Sequence, residues 1–338
     1  MKISVIIPCR NEYLYIEECI EAIYKNILPE VYEITIYVVD GMSNDGTREI
    51  VLKLMQNYSN LHLIDNHKKL TPFAFNLGIH QELVDYIQII GARHIISSDY
   101  ILKGIQILEN DTSIWCVGGR LINNYTNSTS EMISNAMDTS FGMGIGNFRI
   151  LVESGFTDTV TSPLYPFWVF NKIGYFDEQL VRNQDDDFNF RVTNAGGKIW
   201  FEHSISLKYY VRAAYNKLYR QFYQYGYWKV FVNKKHNTVT TMRQLVPPIF
   251  VLYLFIILPI FFLINMNLGL LASAGLLVYK ALAIYFGIKK ANSLKNFLGI
   301  ILTFPILHIS YGLGYLVGIL HFVILGRSPS EKQIRLSR

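Results

Sequence analysis

Acidic residues gather at a few places where this chain could do chemistry. In "VVDGMSNDGT" Asp40 closes a β-branched stretch, and small, turn-forming residues follow at once. A carboxylate at such a strand tip can accept hydrogen bonds from a ribose or a uracil. Gly41 and Ser43 there let a ligand approach the backbone, although an ordinary turn would read the same way. The earlier stretch "IIPCRNE" ends in Pro8, Arg10 and Glu12. "RNQDDDF" places Asp185, Asp186 and Asp187 at a helix start, where the helix dipole favours acids whatever else they do. By contrast "YIQIIGARHIISSDY" reads as a buried strand running into a loop, and holds no acid before Asp99.

These positions need elements to hold them, and the sequence supplies an alternation. "ISVIIP", "EITIYVVD", "NLHLID", "DYIQII" and "SIWCVGG" are strand-like. Between the first four lie helical periods: 11–26, 45–58 with Asp45 or Thr47 at its start, and 71–83 with Thr71 as cap and Pro72 in the first turn. A β-α-β-α-β-α-β order implies an α/β fold with a mostly parallel sheet and right-handed crossovers. Ligands of such sheets bind at the carboxyl ends of the strands, where the acids stand. No GxGxxG follows the first strand, which argues against a dinucleotide-dependent dehydrogenase.

The chain has 338 residues, of which 51% are apolar, and they are unevenly spread. Up to residue 237 charges occur throughout; from Val246 apolar runs dominate. We expect a soluble domain over 1–237 and a membrane domain over 238–338, with two or three hydrophobic helices and a basic tail. Two spans form a hairpin whose uncharged link "NMN" lies outside and whose basic loop "GIKKANSLK" lies inside. The stretch "FLGIILTFPILHISYGLGYLVGILHFVIL" reads either as a third span or as a re-entrant element. Its Gly314 and Gly318 have the spacing for close helix contact, or stand there by chance. The N-terminus enters a strand at once, so no signal peptide is expected and the catalytic part is placed in the cytoplasm. Cys9, Cys19 and Cys116 form no CxxC pair and read as reduced thiols. The net charge of +5 gathers near the apolar segments, which favours lipid headgroups over nucleic acid.

Four separated blocks share a resemblance. "IIPCRNE", "VVDGMSNDGTREI", "NKIGYFDEQLVRNQDDDFNFRVTNAGGKIW" and "YYVRAAYNKLYRQFYQYGYWK" with the apolar tail resemble the family 2 glycosyltransferases. They are most similar to the membrane-bound bacterial polysaccharide branch, of which the succinoglycan chain-extending transferases are an example. The resemblance implies a GT-A-type nucleotide-sugar-binding domain followed by transmembrane helices. It also implies an inverting transfer from a nucleotide-diphosphate sugar, most often of uridine, to a polyprenyl-diphosphate-linked saccharide. Such an enzyme belongs to capsule or exopolysaccharide synthesis, multi-pass in the inner (cytoplasmic) membrane, with other assembly proteins as further partners.

It implies roles by position. The base aligns with Asp185, with Asp186 and Asp187 as rivals one or two places on. Pro8, Arg10, Glu12, Asp40, Gly41 and Ser43 fall at nucleotide-sugar-binding positions. Asp158, Arg220 and Gln221 fall in regions that meet acceptor or diphosphate. The family's acid pair for Mg²⁺ or Mn²⁺ at the end of strand four is replaced here by Gly91, Ala92 and Arg93. Either Arg93, with His94, supplies positive charge to the phosphates directly, or the protein is an inactive scaffold in an assembly complex; a transporter is a third, weaker reading. No metal ligands are assigned.

Overall fold

β-branched runs that alternate with helical periods should build parallel strands joined by crossovers. A computed structural model of the chain contains them in that order; it describes residues 1–145, 148–211 and 214–329 together with Ile334. Strands β1 (Lys2–Cys9), β2 (Glu33–Asp40), β3 (Leu61–Asp65) and β4 (Tyr86–Ile89) alternate with helices α1 (Ile16–Tyr24), α2 (Thr47–Met55) and α3 (Thr71–Ile79). Every residue of β4 is buried, as is β1 from Ile3 to Ile7, which is how strands covered on both faces behave. Pro72 lies in the first turn of α3 as expected, but Thr71 is not its cap: Leu70 holds that position, and no side chain caps the helix.

The rest of the sheet comes from β5 (His94–Ile96), β6 (Ile114–Asn124), β7 (Gly155–Thr157), β8 (Leu164–Pro166) and β9 (Lys198–Tyr210), with helix α4 (Tyr100–Asn110) between β5 and β6. The order is β3-β2-β1-β4-β8-β6-β9-β5, with β7 paired to β9. The β1–β2, β2–β3, β1–β4 and β6–β9 pairs are parallel, and β8 runs antiparallel to both β4 and β6. Because β2 lies on one side of β1 and β4 on the other, the chain changes direction across the sheet at β1. That switch opens a crevice at the carboxyl ends of β1 and β4. Register sets Cys9 opposite Asp40 and Asp40 opposite Asp65, so the tips of β1, β2 and β3 end level.

Packing divides the chain into two compact units, 1–124 with 151–210 and 125–150 with 211–338. The change in composition near residue 237 is therefore not where the packing divides. Helix Tyr215–His236, expected in the soluble part, belongs with the apolar helices. Its Leu218 and Phe222 share a buried cluster with Ile133 and Leu307. Three helices of this second unit, Met242–Ile264, Met266–Lys290 and Leu294–Ile324, are long and apolar enough to cross a membrane. The third packs closely on helix Tyr215–His236. A Cβ at Gly314 would meet the Tyr223 carbonyl, and one at Gly226 the Tyr311 carbonyl. The Gly314/Gly318 spacing thus serves a helix contact made by two backbones. The basic tail beyond Pro329 lies outside the described residues, Ile334 apart.

Candidate active site

The tips of β1 and β2 are laced into one structure. The Asp40 carboxylate is fully buried and accepts from the Ser43 amide (2.9 Å), the Ser43 hydroxyl and Arg48 Nη1 (2.8 Å). Burial alone would raise its pKa, but the bonds from Ser43 and Arg48 outweigh burial and hold it below the ordinary carboxylate value. Arg48 also reaches Asp65 at 2.7 Å, so one guanidinium ties the ends of β2 and β3. From the β1 side, the Asn11 amide donates to Ser43 Oγ (2.8 Å), the Glu12 amide to Thr47 Oγ1 (2.9 Å) and the Tyr13 amide to Asp45 Oδ2 (3.1 Å). Asn11 and Met42 hold left-handed backbone at φ 57° and 59°. Pro8 is half-buried, Gly41 is buried and Arg10 is exposed. The Arg10 side chain lies over Gly41, where a Cβ would come within 3.2 Å of it. Asp40, expected to face a ligand, is turned inward and braces the loop that Gly41 and Ser43 present.

The end of β4 carries no carboxylate. The His94 amide closes a turn on the Gly91 carbonyl (2.8 Å), which brings Arg93 back over the start of α1. There Arg93 Nε donates to Glu12 Oε2 at 2.6 Å, and the guanidinium stacks on Tyr15 at 4.7 Å from the ring centre. His94 Nδ1 meets Ser162 Oγ at 2.7 Å. Asp99 is spent locally, accepting from Ser97 Oγ and pairing with Lys103, each at 2.7 Å. Among the described residues no group of three or more His, Cys, Asp or Glu converges to hold a metal ion. A glycine and an arginine at the ligand positions, with Glu12 engaged by that arginine, do not fit a divalent cation.

Helix Gln184–Asn194 begins after Asn183, which is left-handed at φ 59°, and has Asp185, Asp186 and Asp187 in its first turn. Asp185 is exposed and Asp186 half-buried. Asp187, a catalytic candidate by sequence, is enclosed within the first unit. Its side chain is fully buried and paired with Arg191 Nη2 at 3.0 Å. Arg191 also donates to the Ile173 carbonyl (2.6 Å) and the Tyr175 carbonyl (2.8 Å). This pair fixes the helix to the segment before it and leaves Asp185, two residues back, on the outer face.

One loop joins the two halves. Between β7 and β8, Thr159 Oγ1 accepts from Asn189 Nδ2 of the aspartate helix (3.0 Å), and Ser162 contacts His94. The Ser162 carbonyl accepts from Gln88 Nε2 of β4 (2.8 Å), and Ser162 is left-handed at φ 45°. Asp158 lies half-buried in this loop. Burial raises the Tyr165 pKa on β8. The loop's bonds therefore link His94, next to Arg93, to the helix of Asp185 within the first unit, with Asp158 on the loop itself. Arg220 and Gln221 belong to the second unit, on helix Tyr215–His236: Arg220 is exposed, and Gln221 donates to the Tyr225 hydroxyl at 2.7 Å.

Several residues of this site escape the sequence reading: Asn11, Tyr15, Arg48, Ser162, Asn183 and Arg191. Asparagines next to strand or helix ends are the one signal that pointed there, since asparagine tolerates left-handed backbone. Of the six non-glycine residues with positive φ among those described, four flank this site, which is where strained backbone collects.

Residues 4–174 match the family model described as "Glycosyl transferase family 2". A dolichyl N-acetyl-alpha-D-glucosaminyl phosphate 3-beta-D-2,3-diacetamido-2,3-dideoxy-beta-D-glucuronosyltransferase of Methanococcus voltae is 30% identical over 241 residues, 69% of this chain and 74% of that protein. The succinoglycan biosynthesis protein ExoA of Rhizobium meliloti is 27% identical over 247 residues, 72% of this chain and 73% of that protein. Among solved structures, the mannosyltransferase PcManGT of Pyrobaculum calidifontis, in complex with GDP-Man and Mn²⁺, superposes with a TM-score of 0.54 at 13% identity, covering 99% of this chain and 77% of that one. That similarity supports the fold.

Proposed function

The chain belongs to glycosyltransferase family 2, and from that premise we propose that it moves a sugar from a nucleoside-diphosphate donor, a uridine one first among them, to a lipid-linked saccharide at the inner face of the cytoplasmic membrane. The nucleotide lies along the tips of β1 and β2, against Pro8, Arg10, Gly41 and Ser43, with Asp40 bracing the loop from beneath. The acceptor is a saccharide on polyprenyl diphosphate. Three helices long and apolar enough to span a bilayer suit an acceptor that never leaves the membrane. The product is one linkage of a capsule or exopolysaccharide.

The transfer is a single displacement. An acceptor hydroxyl oxygen forms a bond to the anomeric carbon, and the bond from that carbon to the phosphate oxygen breaks. The diphosphate leaves with the electron pair, and the hydroxyl proton passes to the Asp185 carboxylate. Inversion follows from attack opposite the leaving group. Asp158, on the loop that joins β4 to the aspartate helix, helps seat the acceptor.

The observation that carries this reading is the loop 158–162, bonded to β4 and His94 on one side and to the helix of Asp185 on the other. It supports a site in which an exposed carboxylate and the strand tips serve one reaction. The test is transfer from a panel of uridine, guanosine and thymidine diphosphate sugars by the purified full chain, in a lipid extract from its source membrane, with the lipid products weighed by mass spectrometry. We expect one donor to add one sugar mass with inverted anomeric configuration. Donor binding without a mass increase on any acceptor would replace this reading with that of a non-catalytic scaffold.

A further inference from the structure

The end of β4 is rebuilt around its arginine. Glu12 holds Arg93 by Nε alone, and that is the one side-chain hydrogen bond the guanidinium makes among the described residues. Tyr15 covers one face, and the Tyr15 ring is itself packed on Tyr210 at 4.8 Å between ring centres. With the Nε edge and one face fixed, the two Nη groups present a planar pair of donors in a set direction, the geometry that matches two phosphate oxygens. The surroundings have adapted to this. A Cβ at Gly91 would stand 3.1 Å from the His94 ring, so an acid there would push against the ring that Ser162 holds. A site that had merely lost its acids would keep room for them.

Resting on the donor-site reading above, we propose that Arg93, oriented by Glu12 and Tyr15, binds the leaving diphosphate directly, and that transfer therefore needs no divalent cation at the end of β4. Glu12 and Tyr15 are positioning residues, not nucleoside contacts. Because Glu12 offsets the charge of Arg93, the pair attracts phosphate through aimed N–H donors more than through net charge.

The test is calorimetric binding of UDP and GDP, and of uridine and guanosine, to the full chain in detergent, with EDTA and with added Mn²⁺. At least one nucleoside diphosphate should bind in EDTA within about threefold of its affinity in Mn²⁺. Arg93→Ala should weaken that diphosphate at least about tenfold and leave the nucleoside unchanged, the loss expected for charge-assisted bonds. Arg93→Lys, which keeps the charge without the fork, should recover only part of the loss at an unchanged unfolding midpoint. Glu12→Gln, whose amide oxygen still accepts from Nε, should bind within about threefold of the wild type, whereas Glu12→Leu should not. Affinity that collapses in EDTA and returns with Mn²⁺ would overturn the proposal alone, as would equal effects of Arg93→Ala on nucleoside and diphosphate. Failure of both nucleotides to bind under every condition would overturn the donor-site reading with it.

Discussion

Asp185 and Asp187 stand two places apart on one helix, and roughly 200° of turn separates their directions. Asp187 is enclosed and spent on Arg191; Asp185 faces out. Asp187→Asn leaves Arg191 partly buried without its counter-charge. We expect a loss of roughly 2–4 kcal/mol in urea unfolding. Asp40 is the second buried carboxylate, and its folded pKa lies below the ordinary 3.8. A carboxyl with a depressed folded pKa contributes its full stability above its unfolded value and loses it as pH falls through the folded one. Unfolding free energy measured from pH 6 downward should therefore fall below about pH 4. In Asp40→Asn that acid limb should be shallower, starting from a protein weaker by about 1–3 kcal/mol at neutral pH. An Asp40→Asn variant as stable and as acid-sensitive as the wild type would remove Asp40 as the brace of the β2 loop.

At the scale of elements, the parallel half of the sheet was legible because its strands are short, largely apolar runs that alternate with helix periods. β5, β7 and β8 were not, since each is three residues long and too short to show a period. Their partners are chosen by tertiary context, β5 and β7 on β9 and β8 on β4. The candidate acids were legible by their place at strand and helix ends. Their fates were not: Arg48 sits on the helix after β2, and although Asp187 and Arg191 have the i,i+4 spacing of a helix ion pair, that spacing does not say that Asp187 is enclosed. The glycines of the third apolar helix were visible, but whether they met another helix was not. That contact predicts that Gly314→Val, which forces a side chain into the Tyr223 carbonyl, destabilises the detergent-solubilised protein by about 3 kcal/mol. Ile324→Ala, on an exposed position of the same helix, should stay within about 0.5 kcal/mol. Equal midpoints for the two in thermal unfolding would contradict the helix packing.

For the whole molecule, the proposed arrangement has an orientation. On that proposal the link at Asn265 faces the outside and the basic loop at Asn292 faces the cytoplasm. The native thiols Cys9, Cys19 and Cys116 are buried, so single cysteines at 265 and 292 can be read against a quiet background. An impermeant maleimide should label position 265 in intact cells and position 292 only after permeabilisation; the reverse pattern would place the catalytic unit on the wrong side for a cytoplasmic nucleotide sugar. In the proposed transfer Asp185 is the group that takes the acceptor's proton. Its most direct test is the transfer rate of the full chain in lipid bilayers, at saturating donor, for the wild type, Asp185→Asn and Asp186→Asn. We predict that kcat falls by about 10²–10⁴-fold in Asp185→Asn with donor affinity retained, and by less than about tenfold in Asp186→Asn. Near-normal turnover in Asp185→Asn would contradict the account.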